Sequence, residues 1–252
     1  MTLPRRNHTF PARRVGPINT RRTVLTAIAL TVIVAIAGCA PATPNGNGGE
    51  DLPAVEVREY EGENLSSIND FRENSIKGPQ SVDVSRYTLT VTGLVDSERS
   101  YSYENVVNSH DSYRKVVTLS CVEGWDVKLL WEGVLVRDIL QEAGVRPEAS
   151  IAIFKAADGY STTLPVDYIM GRDILLAHSM NGVTIPPERG FPFQLVAESK
   201  WGYKWIKWVT EIELSDNPNI QGYWEYYGYS ESGDLDKPFI DPFPRTPGGD
   251  TK

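Results

Sequence analysis

Cys121 is the residue of this 252-residue chain whose type and position most directly suggest chemistry. The sequence has two cysteines, and the other, Cys39, belongs to an N-terminal segment of different character. The apolar run Val116–Leu119 predicts a buried β-strand just before Cys121, and Gly124 predicts the turn that follows. The thiol is therefore expected at a strand end, where a rigid scaffold can present it to a pocket. A lone cysteine is otherwise a small buried apolar side chain.

The first 38 residues have the composition of an export signal. They contain six arginines and no acidic residue, and an apolar run extends from Val24 to Ala37. Arg21–Leu25 (RRTVL) resembles a twin-arginine signal, the export route of proteins that fold around a cofactor, although ordinary signals also begin with basic residues. An uncleaved anchor is the alternative, but about fourteen apolar residues are short for a membrane span. We expect residues 1–38 to be a signal peptide.

The apolar run ends in Ile36-Ala37-Gly38-Cys39, which resembles a bacterial lipobox. Cys39 would then be the lipidated first residue of the mature protein and unavailable for a disulfide with Cys121. This predicts an exported lipoprotein, anchored on the outer face of the cytoplasmic membrane or in the periplasm. Residues 39–64 are rich in Pro, Gly, Asn and acidic residues and are expected to form a flexible tether, leaving residues 65–252 as one domain.

The net charge of the chain indicates which classes of binding partner are unsuitable. The whole chain carries a net charge of −8, with 25 basic and 33 acidic residues. Because the predicted signal holds six of the basic residues and none of the acidic ones, the mature chain would carry about −14. Such a surface is a poor match for nucleic acid or for a polybasic membrane patch, so membrane contact is expected through the N-terminal lipid alone.

A motif after the Cys121 strand carries a resemblance to a known family. Residues 131–140 read WEGVLVRDIL. With the cysteine, they resemble the W-x-G-V-x-x-x-D-[IL]-L stretch of the sulfite oxidase family, which includes the catalytic subunit of periplasmic protein-methionine-sulfoxide reductase. The resemblance implies a single mixed α+β domain of β-sheets and short helices, a molybdenum-molybdopterin cofactor, and Cys121 as thiolate ligand of the metal. A soft thiolate suits a metal already bound by sulfur.

Two later segments extend the resemblance. Residues 181–196 (NGVTIPPERGFPFQLV) resemble the family's N-G-x-x-[IL]-P-x-x-x-G-x-P-x-[RQ]-L-V segment, and residues 201–208 (WGYKWIKW) resemble its loop around the pyranopterin. The alternative for that loop is an exposed strand with snorkelling lysines. Gln194 stands where Arg is usual, which questions a phosphate contact, and Arg189 stands where His or Asn is common. The implied cofactor contacts are Arg189, Gln194, Lys204, Trp205, Ile206 and Lys207.

A third, shorter match lies near the start of the domain. Residues 69–73 (NDFRE) resemble the N-x-F-[YR]-E element of the methionine-sulfoxide-reductase branch, which implies cofactor contacts by Asn69, Arg72 and Glu73. An arginine offers a fork of donors to a phosphate, although a surface turn is the alternative. Ala156 falls where that branch has a hydroxyl residue, so only a backbone contact is expected there. His178 lacks a partner at zinc-ligand spacing and is interpreted as a core or interface histidine.

Hydrophobic periodicity and turn residues predict the remaining elements. A helix is expected over 103–108, and another after Trp131 should end at Gly144. Asp158-Gly159 predicts a hairpin. The aromatic-rich stretch after Asn219 is expected to cover the sheet more than to line a substrate opening. The expected strands are 86–95, 150–154, 160–164, 174–180 and 209–214, the last closing the sheet.

The resemblance implies oxygen-atom transfer, and the residues after Cys121 bear on its direction. Sulfite-oxidising relatives surround the metal with arginines, whereas Glu123 and Trp125 follow the cysteine here. An acid and an aromatic ring favour reduction of a neutral S-oxide or N-oxide, small or protein-bound. The alternatives are a sulfite dehydrogenase or oxidase, and a non-catalytic lipoprotein module of the same fold. Because the sequence shows no second redox centre, a membrane cytochrome or quinone-linked subunit is the expected electron partner.

Overall fold

A long β-hairpin carries Cys121 at its turn. The computed structural model describes residues 11–16 and 55–242. In it the strands Ser112–Ser120 and Asp126–Leu135 pair antiparallel, in register from Ser112 opposite Val134 to Ser120 opposite Asp126. The predicted strand before Cys121 and the turn at Gly124, whose φ is +88°, are both confirmed.

The rest of the described chain adds short strands and helices. The strands are β1 (Arg13–Arg14), β2 (Glu59–Tyr60), β3 (Glu63–Asn64), β4 (Leu89–Gly93), β5 (Arg99–Tyr101), β6 (Ser112–Ser120), β7 (Asp126–Leu135), β8 (Ile151–Ala156), β9 (Ser161–Pro165), β10 (Leu175–Met180), β11 (Val183–Thr184), β12 (Gln194–Val196) and β13 (Val209–Ser215). The helices are α1 (Tyr103–Ser109), α2 (Val136–Ala143), α3 (Val166–Met170) and α4 (Tyr223–Tyr226), with 3₁₀ turns at Pro187–Arg189 and Gly202–Lys204. No helix in the described ranges is both long and apolar enough to cross a membrane.

The first sheet is built on the Cys121 hairpin. Its order is β1-β6-β7-β10-β11, and β12 also pairs with β10. Gly133 of the W-E-G-V motif lies where β7 meets β10, and a Cβ there would fall 2.2 Å from the backbone oxygen of Leu176. Glycine is therefore required for the two strands to pair, which gives this motif residue a structural reason.

The second sheet has the order β5-β4-β13-β8-β9 and is antiparallel except for the β13–β4 pair. The expectation that 209–214 closes the sheet was wrong, because β13 lies at the centre with β4 on one side and β8 on the other. The hairpin at Asp158-Gly159 is confirmed between β8 and β9. Buried apolar side chains from both sheets and from α2 form one hydrophobic cluster, so the two sheets share a core.

Helix α2 begins later than expected. The residues between Trp131 and Leu135 belong to β7, and the helix begins at Val136. Its apolar positions Val136, Ile139 and Leu140 are buried, and Gly144 ends it in the left-handed conformation, as predicted.

Two segments expected to lie outside the domain are packed on it. Residues 59–64 form the β2–β3 hairpin, and just before it the Glu56 carboxylate accepts hydrogen bonds from the Asn181 amide and the Ile68 backbone N–H at 2.8 and 2.7 Å. Arg13–Arg14 pair with β6, although the sequence analysis placed none of residues 1–38 in the fold. The twin-arginine-like stretch, the lipobox and Cys39 lie outside the described residues, and their assignments stay predictions.

Candidate active site

Cys121 follows β6 directly, and the turn holds its backbone on both sides. The Cys121 N–H donates to the Trp125 carbonyl at 2.9 Å, and the Gly124 N–H donates to the Cys121 carbonyl at 3.1 Å. Burial raises the pKa of the thiol, while nearby N–H groups of Glu123, Val122 and the Asn74 side chain oppose that rise. A buried thiol of this kind stays neutral in the free protein, and a bound metal would keep it deprotonated.

The Cys121 side chain opens into a cavity of about 460 Å³. This volume lies in the range of sites for small molecules and cofactors. Eight of the eleven residues predicted to contact the cofactor line it: Arg72, Glu73, Cys121, Arg189, Gln194, Trp205, Ile206 and Lys207. The structure thus brings together Cys121 and residues from three of the four segments that carry the resemblance, namely 69–73, 181–196 and 201–208.

One wall of the cavity is the segment Phe71–Gly78, which we call the strap. The strap is tied to the rest of the site at several points. Arg189 Nη2 donates to the Phe71 carbonyl at 2.8 Å, and its guanidinium carbon lies 4.0 Å from the centre of the Phe71 ring. The Glu73 carboxylate pairs with the Lys207 ammonium, and the Asn74 amide lies 3.7 Å from the Cys121 sulfur. Residues 71–73 of the N-D-F-R-E element therefore belong to a wall of the cavity.

Arg189 is a buried cation that the protein only partly neutralises. Its residue is 8% exposed, and burial lowers its pKa, against the opposing charges of Glu188 and Glu73. Nε and Nη1 are buried and have no hydrogen-bond partner among the residues that the structure describes. Buried charged donors are costly unless paired, so the side chain is suited to an anion such as a phosphate.

Part of the loop 201–208 lines the cavity. Tyr203, Trp205, Ile206 and Lys207 line the cavity, but Lys204 does not. The Lys204 ammonium is fully buried, pairs with Glu225 and donates to the Thr163 carbonyl at 3.0 Å. The predicted phosphate contact of Lys207 stays a prediction that its place in the cavity lining allows, while Lys204 points away from the cavity into the contact with helix α4.

Two further predicted contacts do not reach the cavity. Asn69 is exposed and does not line it. Ala156 is the last residue of β8 and pairs through its backbone with Tyr160, so the predicted backbone contact has no free N–H there. The same hairpin instead contributes Asp158 and Tyr160 to the lining. Gln194 lies on β12 opposite Ala177 of β10, is buried and does line the cavity.

Sequence reasoning missed several lining residues. Asn74 directly follows the N-D-F-R-E element, so a match extended by one position would have included it. Trp224 and Tyr229 line the cavity, although the aromatic tail was expected mainly to cover the sheet. Their contact depends on helix α4 folding back on β9, which no sequence periodicity indicates.

The residues present fit a molybdopterin cofactor. The site offers one buried thiol as a soft metal ligand, and a buried arginine with two unpartnered donors as a phosphate partner. Gly202 lets the loop pass close to the end of β6, since a Cβ there would lie only 3.2 Å from the Ser120 carbonyl oxygen. Cys121, Arg189, Lys207 and the 202–206 loop would hold the cofactor, and its metal would supply the oxygen-atom-transfer chemistry.

Comparison with known proteins gives the same family. The sequence model of the protein family described as "oxidoreductase molybdopterin binding domain" matches residues 76–224 of this chain. The uncharacterized oxidoreductase YuiH of Bacillus subtilis is 36% identical over 62% of this chain and 78% of its own. The protein-methionine-sulfoxide reductase catalytic subunit MsrP of Xanthomonas axonopodis pv. citri is 27% identical over 77% of this chain and 69% of its own.

A solved structure supports the fold. The sulfane dehydrogenase SoxCD of Paracoccus pantotrophus aligns with a TM-score of 0.56 at 21% identity, over 72% of this chain and 57% of that one. The sheet-dominated architecture with short helices is therefore that of the molybdopterin-binding fold. The chain belongs to the oxidoreductase molybdopterin-binding family of sulfite-oxidase type, and it is a molybdopterin-dependent oxidoreductase.

Proposed function

We propose that this protein is an exported enzyme that reduces a neutral S-oxide or N-oxide, with Cys121 as the protein ligand of molybdenum. The observation that carries the proposal is the placement of the Cys121 thiol in a cavity that the acidic Glu123 and the aromatic Trp125 of its own turn also line. Glu123 and Trp125 are joined by a 3.1 Å hydrogen bond from the indole N–H to the carboxylate. Phe71 packs on Trp125 with ring centres 5.7 Å apart.

The charge of the cavity favours a neutral substrate. Its charged lining side chains are three cations and three anions: Arg72, Arg189, Lys207, Glu73, Glu123 and Asp158. Hydrogen bonds from Trp125 and Asn74 lower the pKa of Glu123, so this carboxyl is ionised at neutral pH. If the cofactor phosphate occupies Arg189, the remaining side chains carry a net negative charge, which opposes an anion near the metal.

Sulfite oxidation is the second candidate, and two arginines favour it. Arg72 and Arg189 both enter the cavity from segments distant in sequence from Cys121. Arginines are what an anionic substrate would require. The buried position of Arg189 beneath Phe71 and the proximity of Arg72 to Glu123 make this the weaker candidate.

The first experiment is metal analysis of the mature domain expressed in a host that makes the pterin cofactor. We expect about one molybdenum per wild-type chain and loss of the metal–thiolate absorption in Cys121→Ser. The same preparation should reduce methionine sulfoxide with a chemical electron donor and turn over sulfite slowly. Well-folded wild type without molybdenum would refute the ligand assignment, and rapid sulfite turnover would refute the direction.

Electrons must come from a partner in this proposal. The relatives named as catalytic subunit and as a putative subunit of protein-methionine-sulfoxide reductase support a second component. A membrane cytochrome or quinone-linked subunit would fit an enzyme held near the membrane by a lipid on Cys39. Metabolic labelling with palmitate tests the anchor: wild type should incorporate label and Cys39→Ala should not, whereas equal labelling of both would exclude it.

A further inference from the structure

The strap brings one amide side chain to the cysteine sulfur. Asn74 Nδ2 lies 3.7 Å from Cys121 Sγ, within hydrogen-bond range for sulfur. The backbone N–H groups of Val122 and Glu123 also interact with this sulfur. The Asn74 hydrogen bond thus reaches the sulfur from a segment 47 residues earlier in the chain.

The position of the Asn74 amide is fixed by its neighbours in the strap. Glu73 pairs with Lys207, and the Phe71 carbonyl accepts from Arg189, so the strap is held on both sides of the cavity wall. The same Asn74 side chain interacts with Glu123, whose carboxylate is bound to Trp125. Asn74 therefore connects the strap to both functional groups of the Cys121 turn.

A hydrogen bond to a metal-bound thiolate has a defined electronic effect. The donor withdraws electron density from the sulfur, which makes the thiolate a weaker donor to the metal and stabilises the more reduced metal. Reduction potentials of thiolate-ligated metals depend on such hydrogen bonds.

We propose that Asn74 is a positioning residue that sets the reduction potential of the metal through its hydrogen bond to Cys121. The inference rests on the proposed role of Cys121 as metal ligand. It assigns to the strap a role separate from holding the pterin, because the strap brings a hydrogen-bond donor to the ligand sulfur. Removal of this donor is expected to shift the reduction potential of the metal to more negative values without removing the metal.

The test compares variants that keep or remove the donor. Asn74→Leu keeps the approximate shape and has no N–H group, while Asn74→Gln keeps the amide. Both changes are expected to fold, because Asn74 is exposed. Asn108→Leu, an exposed position on α1 outside the cavity lining, is the matched control. The readouts on the metal-loaded proteins are molybdenum content, potentiometric titration followed by EPR, and the thiolate-to-metal absorption band.

We expect Asn74→Leu to retain molybdenum, to lower the midpoint potential and to shift the absorption band. Asn74→Gln should return both towards wild type, and Asn108→Leu should match wild type. Metal-loaded Asn74→Leu with an unchanged potential and band would overturn the role of Asn74 and leave Cys121 as ligand. Loss of molybdenum in Asn74→Leu would also overturn it, because Asn74 would then be required to hold the cofactor. Wild type without molybdenum would refute the proposed function and this inference together.

Discussion

Two cationic side chains of the cavity, Lys207 and Arg189, differ in the partners that the protein already provides for their charge. Lys207 pairs with Glu73 and its ammonium lies 4.4 Å from the centre of the Trp208 ring; burial lowers its pKa, against the raising effect of Glu73. Arg189 has one donor on a backbone carbonyl and two without a partner in the described part of the chain. Among these side chains, Arg189 therefore has the most to gain from a bound anion.

We predict that Arg189→Met weakens cofactor retention about 10- to 100-fold, the loss expected when a charge-assisted hydrogen bond of roughly 1.5–3 kcal/mol disappears. The measurement is molybdenum per chain after dialysis at increasing dilution. Arg189→Lys keeps the charge but not the fork of donors and should give an intermediate loss. Full retention in Arg189→Met would show that the arginine serves only to hold Phe71.

His178 provides a residue-scale prediction about pH. Its Nε2 is buried without a hydrogen-bond partner in the described ranges, and desolvation lowers its pKa, against a raising effect of Glu132. Below the ordinary histidine pKa of about 6.5, the unfolded chain therefore binds a proton that the folded protein does not. Stability should fall as pH decreases through that value, until the lower folded pKa is reached.

We expect His178→Leu to flatten this dependence between about pH 7.5 and 5.5. The measurement is the urea midpoint of wild type and variant at both pH values. The value at pH 7.5 serves as the control for any packing change, because the histidine is neutral in both states there. An equal fall with pH in both proteins would assign the acid sensitivity to other groups.

At the scale of elements, the buried Lys204–Glu225 pair joins the cavity loop to helix α4. Glu225 also accepts from the Thr162 hydroxyl at 2.8 Å, so the pair fixes α4 against β9. Space for it is created by Gly233, where a Cβ would lie 2.7 Å from the Lys204 side chain. Since Trp224 lies on α4 and lines the cavity, this pair determines one wall of the site without touching it.

We predict that Lys204→Met destabilises the protein by ~3–5 kcal/mol, because it leaves the Glu225 carboxylate buried without its cation. Urea unfolding measures this loss. The double variant Lys204→Met/Glu225→Met removes both charges and should recover much of the stability. If the single variant lost less than about 1 kcal/mol, the pair would not anchor α4, and Trp224 would need another support.

The same pair shows what sequence could and could not reveal about the site. Cys121, Gly133 and the residues near Gln194 and Trp205 lie in contiguous motifs, and each element around them has a local signal such as the left-handed glycine at position 144. The sequence therefore predicted the fold, and eight of the eleven residues expected to contact the cofactor line the cavity. The direction of Lys204 depends on Glu225, and the position of Trp224 depends on the same contact. Such long-range contacts leave no periodicity in the chain.

At the scale of the whole molecule, the structure and the predicted export signal overlap at β1. The backbone N–H of Val15 donates to the Ser112 carbonyl at 2.7 Å, and Arg13 pairs with Glu61 at 2.6 Å. These contacts lie on the surface, and burial contributed by a two-residue edge strand is small. Arg114 places a charge on β6, where it pairs with Glu132 of β7 at 2.7 Å, and a charged side chain discourages pairing with other chains when an edge is open.

We therefore predict that a protein lacking residues 1–38 folds, binds molybdenum and keeps the oligomeric state of the full chain at dilute concentration. Exposed surface contacts usually change the free energy of unfolding by about 0.5 kcal/mol or less, which corresponds to about 2 °C in melting temperature for a domain of this size. Thermal unfolding, metal analysis and size-exclusion chromatography of residues 39–252 beside the full chain test this.

A large fall in melting temperature, with the metal lost, would mean that Arg13–Arg14 belong to the functional fold, and the signal-peptide assignment would fail for that segment. A shift to dimers with the melting temperature unchanged would instead show that β1 protects the β6 edge, because uncovering an unpaired strand provides a site for a second copy.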